Sequence, residues 1–281
     1  MRINQLLENN TAVSRRQPLS AAQVVEMLPN YEHAWHKYLA CDAVYRGVSR
    51  DEGQGGRSWI DPRSRARASA NTSNLYTLFV DSDHRWANYP DRSKSLICTN
   101  TWRTAKSYGD PHVVLLANHS RIGICSEDDW WLSFDHLLSK LKKYKNTAIY
   151  DMSDLNTTLA KAYRIVTGRD INLSDAAALR SDLNTMGMIL REHDLSEWSS
   201  LGRSEQYVMQ QSGLFELFQS QDLSMTDLLS ELLDPQANGF SLTTVEAYQQ
   251  PEAEKELWSD GTALMLDMAA VAQLKTDLGV D

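Results

Sequence analysis

The stretch Arg92–Leu116, RSKSLICTNTWRTAKSYGDPHVVLL, reads as strand, turn, short helix, strand, and the rest of the chain is read outward from it. Ser95, Leu96 and Ile97 lead into a strand-like run ending at Cys98. Thr99, Asn100 and Thr101 mark the turn, and their short polar side chains suit the free N–H groups of a helix start. Ala105 and Tyr108 lie three apart on one helical face. Gly109-Asp110-Pro111 stops the helix, and Val113 to Leu116 resume an apolar β-rich run.

Two further stretches bracket this one. Tyr45-Arg46-Gly47 precedes it, at the end of the β-like run Asp42 to Val48. An Arg at a strand end beside Gly can reach a pyrophosphate with its forked donors while the backbone lets the ligand come close; a surface strand ending in a salt bridge has the same residues. Glu254-Lys255-Glu256 follows, running into Leu257-Trp258 and then Gly261-Thr262. If Glu254 to Trp258 is a strand, alternation puts Glu254 and Glu256 on one face, as an acidic edge strand also would.

These three marks, in this order, resemble the ADP-ribosyltransferase superfamily. In that family an early strand carries Arg, often as Tyr-Arg-Gly. A central strand ends in a Ser-Thr-Ser-like triplet before a short helix with Ala and an aromatic, and a late strand carries Glu-x-Glu. Here the triplet is Cys98-Thr99-Asn100, so the first serine's hydroxyl is missing unless Ser95 or Thr99 takes its place. The resemblance covers about residues 40 to 125 and 240 to 270.

The fold the resemblance implies is α+β, an ADP-ribosyltransferase-like split β-sheet core with an N-terminal helical segment and a large helical insertion. Residues 1–40 form the helical segment, 41–125 the first part of the core, 126–238 the insertion, and 239–281 the second part of the core with a C-terminal helix. The resemblance implies mono-ADP-ribosylation with NAD as substrate and no metal. The acceptor is a protein, with arginine the first choice. Arg46 and Gly47 would hold the NAD phosphates, and Ser95, Cys98, Thr99 and Asn100 would support the ribose and the active-site strand. Glu256 would accept the ribose hydroxyl and stabilise the developing cation, and Glu254 would orient or deprotonate an attacking arginine. The implied setting is that of a phage or bacterial effector acting in a cytoplasm, its own or that of a host or target cell. Two other readings stand beside it: an NAD glycohydrolase with water as acceptor, and a non-enzymatic helical interaction module.

Composition constrains these readings. Of 281 residues, 42% are hydrophobic and 23% charged, ordinary for a globular chain able to bury a core. The net charge of -9 speaks against general affinity for nucleic acid or an anionic membrane. No apolar run is long enough to span a bilayer, and MRINQLLENN lacks the apolar core of a secretory signal, so the expected compartment is cytoplasmic. Cys41, Cys98 and Cys125 form no paired framework or metal spacing, and free thiols are expected.

Elsewhere, SAAQVVEMLP predicts a helix ended or kinked by Pro29, and a second helix follows from about Asn30 to Leu39. His33 and His36 on it are three apart with no third ligand near in sequence, so they read as helix-face residues. Ser49 to Ser73 reverses the local charge: Gly53, Gly55 and Gly56 suggest a mobile loop, and Arg57, Arg63, Arg65 and Arg67 face either an anionic ligand or solvent. Asn74 to Val80 suits a buried strand or a short helix, and Trp86 and Tyr89 frame a nicotinamide or close the core. Arg121 to Cys125 reads as a strand, and a helix is expected to start at Glu127-Asp128-Asp129 with Lys140 to Lys145 at its end. From about Ser153 to Pro235 the pattern is helical, with Met186, Met188, Met209 and Met225 as core fillers and Gly168 and Gly213 as breakers.

Overall fold

A computed structural model describes residues 16–49, 56–64, 74–142, 149–192, 201–211 and 213–280. Gly53, Gly55, Arg65, Arg67 and Lys143 to Lys145 lie outside the described residues. The chain forms two compact units: Met1–Asn71, Asn88–Asp129 and Phe240–Asp281 make the first, Thr72–Ala87 and Trp130–Gly239 the second.

The first unit is α+β. Its strands are β1 (Gln17–Pro18), β2 (Tyr45–Val48), β3 (Arg57–Ile60), β4 (Leu96–Thr99), β5 (Asp110–Leu116), β6 (Arg121–Ile124), β7 (Ser241–Thr244), β8 (Glu256–Ser259) and β9 (Ala263–Leu266). They form one sheet in the order β1-β3-β9-β5-β2-β4-β8-β6-β7, antiparallel at every pair. All four residues of β2, Tyr45 to Val48, pair with β5, whereas the β2–β4 pairing is limited to Tyr45 opposite Thr99. The sheet therefore splits between β2 and β4 into two ladders joined at one register point.

Four helices clothe this sheet: α1 (Ala21–Met27), α2 (Glu32–Leu39), α4 (Trp102–Tyr108) and α11 (Met268–Leu278), the numbering counting the second unit's helices in chain order. Ser20 starts α1 with a reciprocal cap, its hydroxyl accepting from Gln23 N and its own N–H donating to Gln23 Oε1. Val24, Leu28, Ala34 and Trp35 from α1, α2 and the turn between them join Val48, Cys98, Val113, Ile122, Leu264, Val271 and Leu274 in one core. Helix α4 covers Gly47, on the alternate side of β2 from Val48, so the two sheet faces are clothed by different helices. Thr101 caps α4 and Gly109 ends it at φ 147, where a Cβ would also lie 2.2 Å from Val48 O. The basic segment read as a loop contributes β3, because Arg57 to Ile60 pair with Leu266 to Ala263 at full register.

The second unit is helical: α3 (Leu75–Ser82), α5 (Asp135–Leu141), α6 (Met152–Thr167), α7 (Ala176–Glu192), α8 (Arg203–Gln211), α9 (Leu214–Ser220) and α10 (Met225–Leu232). The ambiguous run from Asn74 is helix α3, which buries Leu75, Tyr76, Phe79 and Val80. The helix expected from Glu127 starts at Asp135. Residues 126–133 are bends and turns, and burying Trp130 and Phe134 against Trp86, with ring centroids 5.2 and 6.4 Å away, overrides the local helix signal. Trp86 thus closes a core. Asp151, two residues before the expected start of the helical run at Ser153, accepts from Asp154 N to start α6, and Gly168 ends that helix in the left-handed region. Met186, Met209 and Met225 are buried, but Met188 is 61% exposed and fills no core. Asp83, buried, is held by Ser230 and Arg180. Among the described residues no helix is long and apolar enough to cross a membrane.

Candidate active site

The site begins where the sheet splits. Tyr45 of β2 faces Thr99 of β4, and Thr99 faces Glu256 of β8, so the three strands carrying the sequence marks are consecutive neighbours. Directly opposed residues share a face, which aligns Tyr45, Thr99 and Glu256. Past Tyr45 the β2–β4 ladder ends, and there the Arg46 guanidinium donates to Ile97 O at 2.6 Å, a side chain bridging the two strands where backbone pairing has stopped.

Glu256 is 9% exposed and ion-paired to Arg92, itself buried. The Arg92 guanidinium lies 5.5 Å from the centre of the Trp258 ring, whose Nε1 donates to Pro90 O at 3.0 Å. The short turn Arg92–Lys94 that presents Arg92 is tied down by Ser95, whose hydroxyl donates to Asp91 O at 2.6 Å. Trp258 fits because Gly123 on β6 has no side chain: a Cβ there would lie 2.2 Å from the indole.

Glu254 stands apart from this buried pair. The strand expected from Glu254 to Trp258 begins only at Glu256, and Glu254 is exposed on the approach, accepting from the Thr104 hydroxyl of α4. The approach is held by Asn100, 1% exposed. Its Nδ2 donates to Pro251 O at 3.1 Å and Ala253 O at 2.8 Å, and its Oδ1 accepts from Lys255 N at 2.8 Å. These contacts hold the segment to the end of β4 instead of letting it pair as strand. One carboxylate of the Glu-x-Glu is therefore buried on the sheet and the other open to solvent on a fastened loop.

Tyr108, at the end of α4, faces the same region. Although the residue is 42% exposed, partial burial first, then the negative charges of Glu256, Asp129, Asp128 and Glu254, push its phenol upward. Such a surrounding favours a cation.

Thr99 and Glu256 thus share a face with Tyr45, with Glu254 alongside on Thr104, whereas Arg46 alternates to the other face of β2 and reaches across the split only to Ile97 O. The other sequence-derived candidates are placed differently. Cys98 joins the core, its thiol pushed up to about 12 by burial, with Arg46 pulling it down and Glu256 adding to the rise. Gly47 makes room for α4, a Cβ there falling 2.1 Å from Ala105 O. Ser95 precedes β4, roughly 13 Å of extended chain from Thr99. Asn100 spends its side chain on the loop. Arg63, its side chain 59% exposed, pairs with Asp260 at 2.7 Å, as does Arg121 at 3.3 Å. Tyr89 stacks on Trp258 with centroids 6.0 Å apart and donates to Phe240 O. His33 and His36 lie near Glu246 and Glu32, and among the described residues no group could hold a metal ion.

Sequence reasoning missed Arg92, Thr104 and the electrostatic surroundings of Tyr108. Arg92 carried no signal, since DRSKS resembles any charged turn. Thr104 had one, as the hydroxyl a turn beyond the triplet. No family model, curated protein or solved structure matches the chain.

Proposed function

We propose that the chain is an NAD-dependent mono-ADP-ribosyltransferase, its first unit an ADP-ribosyltransferase-like split sheet, with a protein arginine as acceptor. One observation supports this most: the strands that carry Arg46, Thr99 and Glu256, drawn from segments far apart in sequence, are consecutive neighbours beside the split, with Thr99 directly opposite Glu256. The reaction breaks the bond between nicotinamide and the ribose C1′ through an oxocarbenium-like transition state, as in glycoside hydrolysis. Nicotinamide leaves as the neutral base, and an arginine nitrogen bonds C1′. Arg46 binds the pyrophosphate, and Thr99 supports the ribose. The Glu256 carboxylate accepts from a ribose hydroxyl and opposes the growing positive charge. Glu254, exposed and fastened to α4, takes the proton the arginine nitrogen gives up.

The test is incubation with labelled NAD and a cell lysate, comparing wild type with Glu256→Gln. Label on protein from wild type, reduced about 100-fold or more in the variant, is the expected result. Free ADP-ribose without labelled protein makes the chain a glycohydrolase. The burial of Glu256 against Arg92 favours one further reading, a structural ion pair in an interaction module. If neither folded protein consumes NAD, that reading replaces the enzyme.

A further inference from the structure

Nothing in the sequence marks Arg92, yet it is the residue that reaches Glu256. Both are buried, and Arg92 Nη2 donates to Glu256 Oε1. The guanidinium is confined by the Trp258 ring below it, and its backbone turn is tied by the Ser95 hydroxyl to Asp91 O and by Lys94 to Asp91 at 3.1 Å. Trp258 is itself held by Pro90, Tyr89 and the space at Gly123. A glutamate side chain has three torsions to fix, and a carboxylate that must meet a ribose hydroxyl gains most from being fixed beforehand. A planar, permanently charged group held against an indole performs this better than a flexible ammonium.

We infer that Arg92 is a positioning residue for the reaction: anchored on Trp258 and on the turn that Ser95 ties down, it holds one carboxylate oxygen of Glu256 and so aims the carboxylate toward substrate. This inference rests on the transferase reading. It assigns Arg92 no contact with NAD; it acts through Glu256.

The experiment measures NAD turnover and NAD affinity for wild type, Arg92→Gln and Arg92→Lys, with the folded fraction of each taken from circular dichroism. The expected result is a kcat per folded molecule about 100-fold lower for Arg92→Gln, while the dissociation constant for NAD stays within about twofold. Arg92→Lys, which keeps charge without the fork, recovers part of the loss. If Arg92 is only structural, kcat per folded molecule is unchanged in both variants, and the inference is overturned while the transferase reading stands. Equal weakening of NAD binding and kcat/KM would make Arg92 a binding residue and overturn it as well. A wild type without NAD turnover removes the transferase reading and this inference together.

Discussion

Asn100→Ala cuts the fastening of the Glu254 approach with the smallest change in shape. The native amide makes three hydrogen bonds, to Pro251 O, Ala253 O and from Lys255 N, at a position 1% exposed. At about 1 kcal/mol net for each, the variant loses about 3 kcal/mol, a large fraction of the roughly 5–15 kcal/mol that holds a domain folded. Asn100→Asp sharpens the argument. Its carboxylate still accepts from Lys255 N–H but turns lone pairs toward the two carbonyls, so at neutral pH it is expected to be at least as damaging as alanine. Once protonated it can donate again, so its deficit relative to wild type shrinks as pH falls toward about 4. Urea unfolding followed by circular dichroism and tryptophan fluorescence, repeated from neutral to mildly acidic pH, measures both. An Asn100→Ala midpoint corresponding to a loss under about 0.5 kcal/mol would refute the clamp, as would an aspartate variant indistinguishable from wild type at neutral pH.

Other substitutions test separate parts of the site. Glu254→Gln is expected to lose label transfer to protein while still cleaving NAD to free ADP-ribose, measured by chromatography of the nucleotide products. Gly47→Ala puts a methyl group 2.1 Å from the Ala105 carbonyl, a backbone atom that cannot swing aside, and is expected to cost about 3 kcal/mol in denaturant unfolding. Gly123→Ala collides with the Trp258 indole at 2.2 Å, so it should both destabilise and shift the tryptophan emission. Of the free cysteines Cys41, Cys98 and Cys125, only Cys41 is exposed, so a thiol reagent on the native protein should label Cys41 fast and the other two only after unfolding. Burial raises the Cys98 thiol from 9.0 to about 12, so its neutral form is favoured in the folded state. The unfolded thiol therefore ionises first as pH rises past 9.0, and stability falls up to about 12. The Cys98→Ala variant should lack this share of the slope, about 1.4 kcal/mol per pH unit, in alkaline unfolding curves.

How far the sequence alone carried depends on the range of the force involved. Capping, turn chemistry and periodicity act within a few residues, and they located β4, α4 and β5, the C-terminal helix and the helical run from Ser153. The same local signals misplaced the start of α5, because the burial of Trp130 and Phe134 against Trp86 comes from a segment more than forty residues away in sequence. They also missed β3, whose pairing partner β9 lies at the far end of the chain.

For the site, the order Arg46, Cys98-Thr99-Asn100, Glu254-Lys255-Glu256 was legible as a resemblance, but residue type could not assign each member its task. Thr99 and Cys98 are adjacent in sequence, yet alternation sends one to the face of Glu256 and the other into the core. Gly47 and Asn100, which as residue types suit ligand contact, are used to pack a helix and fasten a loop. Arg92 entered only through the fold. What the sequence by itself determined was the set of local elements and the chemistry available on them. Which strands became neighbours, where the sheet parts, and which arginine meets Glu256 were decided by burying apolar faces from distant segments in one core, a condition no short stretch can satisfy alone.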